Sequence, residues 1–84
     1  MRQRDYINAT DEYGHTLRLL YEIKKYDKPS RIKGLYGGKI VKLLLTTEDT
    51  DAVVALYSNG IWETYPFDDS GSIKAINYIV DHFN

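Results

Sequence analysis

A glycine-rich segment with interspersed lysines, residues 32–43, carries residue types that often bind phosphate in proteins. Backbone N–H groups of glycine loops approach phosphate oxygens closely, and a lysine neutralises their charge. A Walker loop has the form Gly-x-x-x-x-Gly-Lys followed by Ser or Thr. Here only three residues separate Gly34 from Gly38, and Ile40 follows Lys39, so the segment does not match that motif. It also lacks the Gly-x-Gly-x-x-Gly spacing of dinucleotide-binding proteins.

The pattern Ile-x-Gly-x-x-Gly-x-x-Ile-x-x-Leu over residues 32–43 resembles the signature of KH domains. This resemblance implies a Gly-x-x-Gly loop between two helices that clamps the backbone of single-stranded nucleic acid. Two features of the sequence oppose it. Pro29 lies too close to Gly34 for a preceding helix, and residues 40–46 show the alternation of a strand.

The alternative interpretation gives these glycines a structural role in a wide turn. Gly34, Gly37 and Gly38 then provide positive φ angles or let another backbone approach closely. The lysines are solvated, or they form a contact patch with Tyr36 on a loop that a rigid sheet carries. The patch predicted to bind nucleic acid or a small ligand comprises Lys33, Gly34, Tyr36, Gly37, Gly38, Lys39 and Lys42.

Charge is divided along the chain in a way that the net value of −1 conceals. Residues 24–42 contain seven of the eleven Lys and Arg residues, with Asp27 as the one acid. Residues 43–73 contain six acids and no cation. Such asymmetry is typical of binding surfaces, so the acidic half is a second candidate site. The predicted partner-binding surface comprises Glu48, Asp49, Asp51, Glu63, Tyr65, Asp68 and Asp69.

The sequence shows no recognisable catalytic arrangement. His15 lies in a predicted turn, and His82 lies at a predicted helix end, where a cation suits the helix dipole. No nucleophile elbow or His-Glu-x-x-His motif occurs. The chain contains no cysteine, which excludes disulfides, thiolate zinc sites and cysteine nucleophiles. We therefore expect a protein that is not an enzyme and that holds no metal or cofactor.

Alternating apolar residues predict most of a sheet. The strands are expected over residues 6–10, 16–24, 40–46 and 52–57, with turns at 11–14 and 48–51. Asn59-Gly60 predicts a type I′ turn, because both positions accept positive φ angles. This turn places Tyr57 directly across from Trp62 on a returning strand that Pro66 ends.

The last segment predicts a helix that begins at one of three caps, Asp69, Ser70 or Ser72. Its apolar stripe comprises Ile73, Ile76, Ile79, Val80 and Phe83. The predicted fold class is α+β, a small antiparallel sheet of about five strands with one C-terminal helix on one face. We expect a single domain over residues 1–84, without a signal peptide or membrane span, in the cytoplasm.

The order of features resembles an uncharacterised family of short proteins from phages and prophages of Gram-positive bacteria. The resemblance lies in Pro29-Ser30, in residues 34–43, in residues 57–62 and in Pro66. Lysine stands at position 39 where that family typically has arginine, and Ile61 separates Gly60 from Trp62. The resemblance implies no activity; it implies a small accessory protein of a mobile element.

Three functions remain open from the sequence. The first is a monomeric or dimeric phage protein that blocks a host protein, such as a defence nuclease complex, through the acidic surface. The second is a nucleic-acid binder in which Tyr36 stacks on a base. Its cations would be Lys24, Lys25, Lys28, Arg31, Lys33, Lys39 and Lys42. The third is a sponge that holds a nucleotide at a dimer interface.

Overall fold

The computed structural model describes residues 1–84 and contains a five-stranded antiparallel sheet with one long helix. The strands form a meander in the order β1-β2-β3-β4-β5. The elements are β1 (Arg2–Thr10), β2 (Thr16–Lys25), a 3₁₀ turn (Leu35–Gly37), β3 (Ile40–Thr47), β4 (Val53–Ser58), β5 (Ile61–Thr64) and α1 (Ser70–Phe83). The predicted α+β fold class is confirmed, and so is the extended conformation of residues 40–46.

The first strand corrects the sequence prediction, because it begins at Arg2 rather than at Tyr6. Its whole length pairs with β2, from Arg2 opposite Lys24 to Thr10 opposite Thr16. Residues 2–5 are polar or charged and lack the alternation that reveals a half-buried strand. Pairing with a neighbouring strand, which the local sequence does not encode, determines where β1 begins.

The predicted β4–β5 hairpin, with its type I′ turn, is confirmed. Asn59 and Gly60 have φ angles of 48° and 98°, as a type I′ turn requires. Tyr57 lies directly opposite Trp62, and their ring centroids are 5.2 Å apart in an edge-to-face arrangement. The right-handed twist of the two strands matches this turn, so the aromatic pair is held in register.

Helix α1 lies across β1 and β2. Its first turn packs on the end of β1, where a Cβ on Gly71 would lie 3.0 Å from the Thr10 carbonyl carbon. Its last turn places the Phe83 ring 6.0 Å from the ring of Tyr21. Of the three predicted caps, Asp69 caps the helix, because its Oδ1 accepts a hydrogen bond from the Ser72 N–H at 3.1 Å.

The core lies between this helix and one face of the sheet. Its largest fully buried apolar side chains are Leu19, Leu35, Ile40, Leu43, Leu45, Ile76 and Ile79. Of the predicted helical stripe, Ile76 and Ile79 are buried, Val80 and Phe83 pack against the core while half-buried, and Ile73 is half-buried. Leu17 shares the face of Leu19 through strand alternation, but it is exposed near the start of β2.

The sheet has a second face that α1 does not cover, which we call the open face. On antiparallel strands, residues directly opposite one another point to the same face, so the row through Arg4, Glu22, Leu44 and Leu56 belongs to it. The glycine segment and the β4–β5 turn lie at one end of the sheet. The turns at 11–15 and 48–52 lie at the other end. The structure contains no helix with the length and apolar character to cross a membrane.

Candidate functional site

The glycine segment forms a compact loop whose backbone hydrogen bonds are made within the protein. The N–H of Gly34 donates to the Ser30 carbonyl, and the N–H of Gly37 donates to the Gly34 carbonyl, each at 3.0 Å. The N–H of Gly38 donates to the Leu35 carbonyl, also at 3.0 Å. The N–H groups of the three glycines, which a phosphate-binding loop would offer to a ligand, are therefore engaged internally.

The three glycines serve two different purposes. Gly37 alone has a positive φ angle, 72°. Gly34 and Gly38 instead allow close approach. A Cβ on Gly34 would lie 1.9 Å from the Gly38 carbonyl oxygen, and a Cβ on Gly38 would lie 2.3 Å from the Asn84 side chain. The prediction of a positive φ angle or a close backbone is confirmed for Gly37 and Gly34, whereas at Gly38 the close neighbour is a side chain.

Asn84 joins the glycine segment to the end of α1. Its Oδ1 accepts hydrogen bonds from the N–H groups of Lys39 and Ile40, at 3.0 and 3.1 Å. Its Nδ2 donates to the Leu35 carbonyl at 3.1 Å. One amide side chain thus satisfies three backbone groups where β3 begins. The sequence analysis did not identify this residue.

The three lysines of the predicted basic patch lie at different points of the chain: in the loop before the 3₁₀ turn, just before β3, and within β3. The Lys33 carbonyl accepts a hydrogen bond from the Tyr57 hydroxyl at 2.9 Å, beside the core. Lys39 is half-buried next to Asn84, and Lys42 projects from β3 onto the open face. The side chains of Lys33 and Lys42 are exposed, and that of Lys39 is half-buried.

Tyr36 is exposed and has a left-handed backbone conformation, with a φ angle of 53°. Partial burial of its phenol, with a further contribution from the neighbouring Tyr65, raises the pKa of Tyr36 above its usual value. The two tyrosines were predicted in different candidate sites. The structure brings them together.

Tyr65 belongs to a series of aromatic rings beside β5, which we call the aromatic edge and define as Tyr36, Trp62, Tyr65 and Phe67. The Trp62 and Tyr65 centroids are 4.9 Å apart, and those of Tyr65 and Phe67 are 4.8 Å apart, both edge-to-face. Tyr57 anchors the series in the core through its contact with Trp62. Phe67 is nevertheless 79% exposed.

The predicted acidic residues do not form one surface either. Glu48, Asp49 and Asp51 lie in or next to the β3–β4 turn, and the Glu48 carboxylate pairs with the Arg18 Nε at 3.5 Å. Asp69 is occupied as the helix cap. The two remaining acids, Glu63 and Asp68, are exposed on either side of Tyr65 in the sequence.

Both histidines have local structural partners. The Asp11 carboxylate accepts hydrogen bonds from the backbone N–H groups of His15 and Tyr13, and the His15 Nδ1 lies 3.4 Å from it. The hydrogen bond from the His15 backbone is the main cause that lowers the pKa of Asp11. His82 stacks on Tyr78 with an interplanar angle of 4°.

The open face carries a row of cations that the sequence analysis only partly identified. Arg2 lies directly opposite Lys24, and Lys24 lies directly opposite Lys42. We call these three residues the cation row. Lys24 and Lys42 were among the predicted nucleic-acid contacts, but Arg2 was not, because β1 was expected to begin later. The charged start of β1 can be recognised as a strand only from its pairing with β2, which the local sequence does not show.

Comparison with known proteins gives one match. The model of a family described as a domain of unknown function, DUF7678, matches residues 8–84. No curated protein and no solved structure matches the chain. The matched residues span the end of β1, every later strand and the whole of α1.

Proposed function

The chain belongs to the DUF7678 family of unknown function, and from its surfaces we propose that it is a non-catalytic protein that binds and inhibits a host protein. The binding surface is the aromatic edge with its flanking acids, Glu63 and Asp68. The proposed partner is a protein with a cationic surface. The resemblance to short phage and prophage proteins favours a host defence nuclease complex as the partner class.

The main support for this proposal is that Phe67 is exposed at the end of a series of packed aromatic rings. An isolated exposed phenylalanine is ordinary, but Phe67 packs on Tyr65, which packs on Trp62 and so on the core. The contact with Tyr65 restricts the Phe67 ring before any partner binds, which lowers the side-chain entropy that association costs. Trp and Tyr, the neighbours of Phe67 in this series, are enriched among the hot-spot residues of protein interfaces.

Two further exposed apolar side chains lie near the β4–β5 turn, and Ile61 points to the open face because it lies opposite Ser58, which lies opposite Lys42. Ile61 begins β5 and is 65% exposed, and Ile32 is 83% exposed. Gly60 brings the two segments together, because a Cβ at that position would lie 2.5 Å from the Ile32 carbonyl oxygen. Clustered exposed apolar groups of this kind mark interaction surfaces in soluble proteins.

The charges beside the aromatic edge indicate the sign of the partner surface. Glu63 and Asp68 are exposed and have no ion-pair partner in the protein, whereas Glu48 is paired and Asp69 caps α1. Two unpaired carboxylates around an apolar centre match a partner surface with cations around an apolar depression.

The test is affinity capture from cells that produce a defence nuclease complex, with three forms of the tagged protein. Phe67→Ser is compared with Tyr13→Ser, a matched control that removes an equally exposed ring, 77% against 79%, from the distant β1–β2 turn. The wild type and the control should retain a host protein at stoichiometric level, and Phe67→Ser should lose it by at least about tenfold. Equal retention by both variants, or no stoichiometric partner, would reject the proposal.

A second comparison locates the acidic contribution. Glu63→Lys/Asp68→Lys should abolish capture, whereas Asp49→Lys in the β3–β4 turn should leave it unchanged. The reverse result would show that the turn, and not the aromatic edge, contacts the partner.

A further inference from the structure

The cation row presents uncompensated positive charge in a fixed geometry. Adjacent strands are about 4.8 Å apart, so its three Cα atoms span about 10 Å across β1, β2 and β3. Like charges directly opposite one another destabilise a sheet. The nearest acid on the open face, Glu22, is already paired with the Arg4 Nε at 3.3 Å. An anionic ligand is therefore the natural counter-charge.

The surface around the row has the shape for an extended ligand. Arg2, Lys24 and Lys42 line a groove of about 320 Å³, together with the Arg4–Glu22 pair and Leu44. The groove lies on the sheet surface between neighbouring strands and has no covering element. It suits a chain that lies along the surface better than a compact molecule that must be enclosed.

The acidic half of the chain does not cancel this field. Lys42 and Glu48 are six residues apart along β3 and the turn that follows it, which is about 20 Å at roughly 3.3 Å per residue. Glu63 is nearer by register, because it lies two strands and two residues from Lys42, which is about 12 Å at about 4.8 Å per strand. Charges are largely screened beyond about 8 Å at physiological ionic strength. Glu48 is also paired with Arg18. The sequence pI of about 6.0 therefore averages two regions that act separately.

An aromatic ring stands beside the row. Tyr26 follows β2 directly, and its ring centroid lies 5.6 Å from the Lys24 Nζ. The ring is 48% exposed, and the backbone N–H of Tyr26 donates to the Lys39 carbonyl at 3.0 Å, which holds the backbone at the end of β2. A half-exposed ring next to cations is a platform on which an unpaired base can stack.

We propose that the cation row binds the phosphates of single-stranded nucleic acid while Tyr26 stacks on one of its bases. A duplex keeps its bases inside and could not use Tyr26, so the ring favours a single strand. This site is on the open face and uses none of the residues of the aromatic edge. It therefore does not depend on the proposed protein-binding function.

The salt dependence of binding tests the row. A fluorescein-labelled 12-nucleotide single strand is titrated with the full chain at several salt concentrations, and anisotropy is measured. Three neutralised phosphates predict a slope of log K against log salt of about −2, at roughly −0.7 per phosphate. Lys24→Gln/Lys42→Gln should reduce the slope by about 1.4. Lys28→Gln/Lys74→Gln, with the same loss of charge outside the groove, should leave it unchanged.

Substitution of the ring tests the stacking contact. Tyr26→Ala should weaken binding by about fivefold or more, the lower range for a lost base–aromatic stack, and Tyr26→Phe should retain wild-type affinity. Tyr13→Ala, which removes an exposed ring from the far end of the sheet, should have no effect. Circular dichroism of each variant establishes that the fold is intact.

Several results would overturn this proposal. An unchanged salt slope in Lys24→Gln/Lys42→Gln, or an equal change in its control, would show that the row does not contact phosphate. Equal affinity for a 12-base-pair duplex would reject the single-strand assignment. Phe67→Ser should leave nucleic-acid affinity unchanged, so a failure here is distinguishable from a failure of the protein-binding proposal.

Discussion

The glycine segment and the cation row are both basic, yet the structure uses them in opposite ways. The glycine segment has the residue types of a ligand-binding motif, but its N–H groups bond within the loop and to Asn84. The cation row matches no motif and is assembled from three strands, and its ends lie forty residues apart, at Arg2 and Lys42. Side chains that project from a rigid sheet stay available to a ligand. In a loop that packs on the core, by contrast, the backbone polar groups form hydrogen bonds within the protein.

The largest effect is expected from Gly34→Ala. A Cβ there would lie 1.9 Å from the Gly38 carbonyl oxygen and 2.5 Å from that of Ser30, so backbone must move. We expect the free energy of unfolding to fall by about 3 kcal/mol or more. Gly37→Ala is the control in the same loop. It meets no atom within 4 Å and should lose only about 1 kcal/mol through its positive φ angle. Urea denaturation measures both, and equal losses would contradict the close-approach role of Gly34.

Asn84→Ala should have the next largest effect. The substitution leaves the N–H groups of Lys39 and Ile40 without their acceptor, while the Leu35 carbonyl keeps its hydrogen bond from the Gly38 N–H. We expect a loss of about 2 kcal/mol in the free energy of unfolding. Amide hydrogen exchange should be fastest relative to the wild type at Ile40. Nucleic-acid affinity should stay the same in the folded variant. A large fall in affinity would mean that the glycine segment itself contacts the ligand.

Lys42→Glu should act in the opposite way to Asn84→Ala: it should raise the free energy of unfolding and weaken nucleic-acid binding. It replaces a like-charge pair with an attractive pair opposite Lys24, which we expect to add about 0.5 kcal/mol to the free energy of unfolding. Lys28→Glu, in the loop after β2, is the matched charge reversal. If Lys42→Glu proves less stable than this control, the cross-strand repulsion assigned to the row does not exist.

Acid titration of the opposite end of the sheet should give the smallest effect. The folded-state pKa of Asp11 lies below its unfolded value, mainly because the His15 backbone donates to it. Its contribution is therefore fully present above about pH 4 and is lost as the pH falls through the folded pKa. Asp11→Asn should flatten the decline of the melting temperature below pH 4. An identical decline of the melting temperature in the wild type and Asp11→Asn would contradict the lowered pKa of Asp11.

Local patterns sufficed wherever a residue's neighbours in sequence decide its conformation. The Asn59-Gly60 turn, the pairing of Tyr57 with Trp62 and the extended conformation of 40–46 follow from φ preferences and alternation. The α+β class follows from the same signals. The start of β1 could not be found in this way, because residues 2–5 become a strand only through their pairing with β2.

The candidate sites depend even more than the start of β1 on contacts between residues that are distant in sequence. Composition alone revealed that the chain has a basic half and an acidic half, since charge order is written in the sequence. Tertiary structure decided which of those charges are free. Asp69 caps a helix and Glu48 pairs with Arg18, both through contacts that folding creates. The cation row and the aromatic edge likewise exist only because strand register and loop packing bring distant residues within a few ångströms of one another.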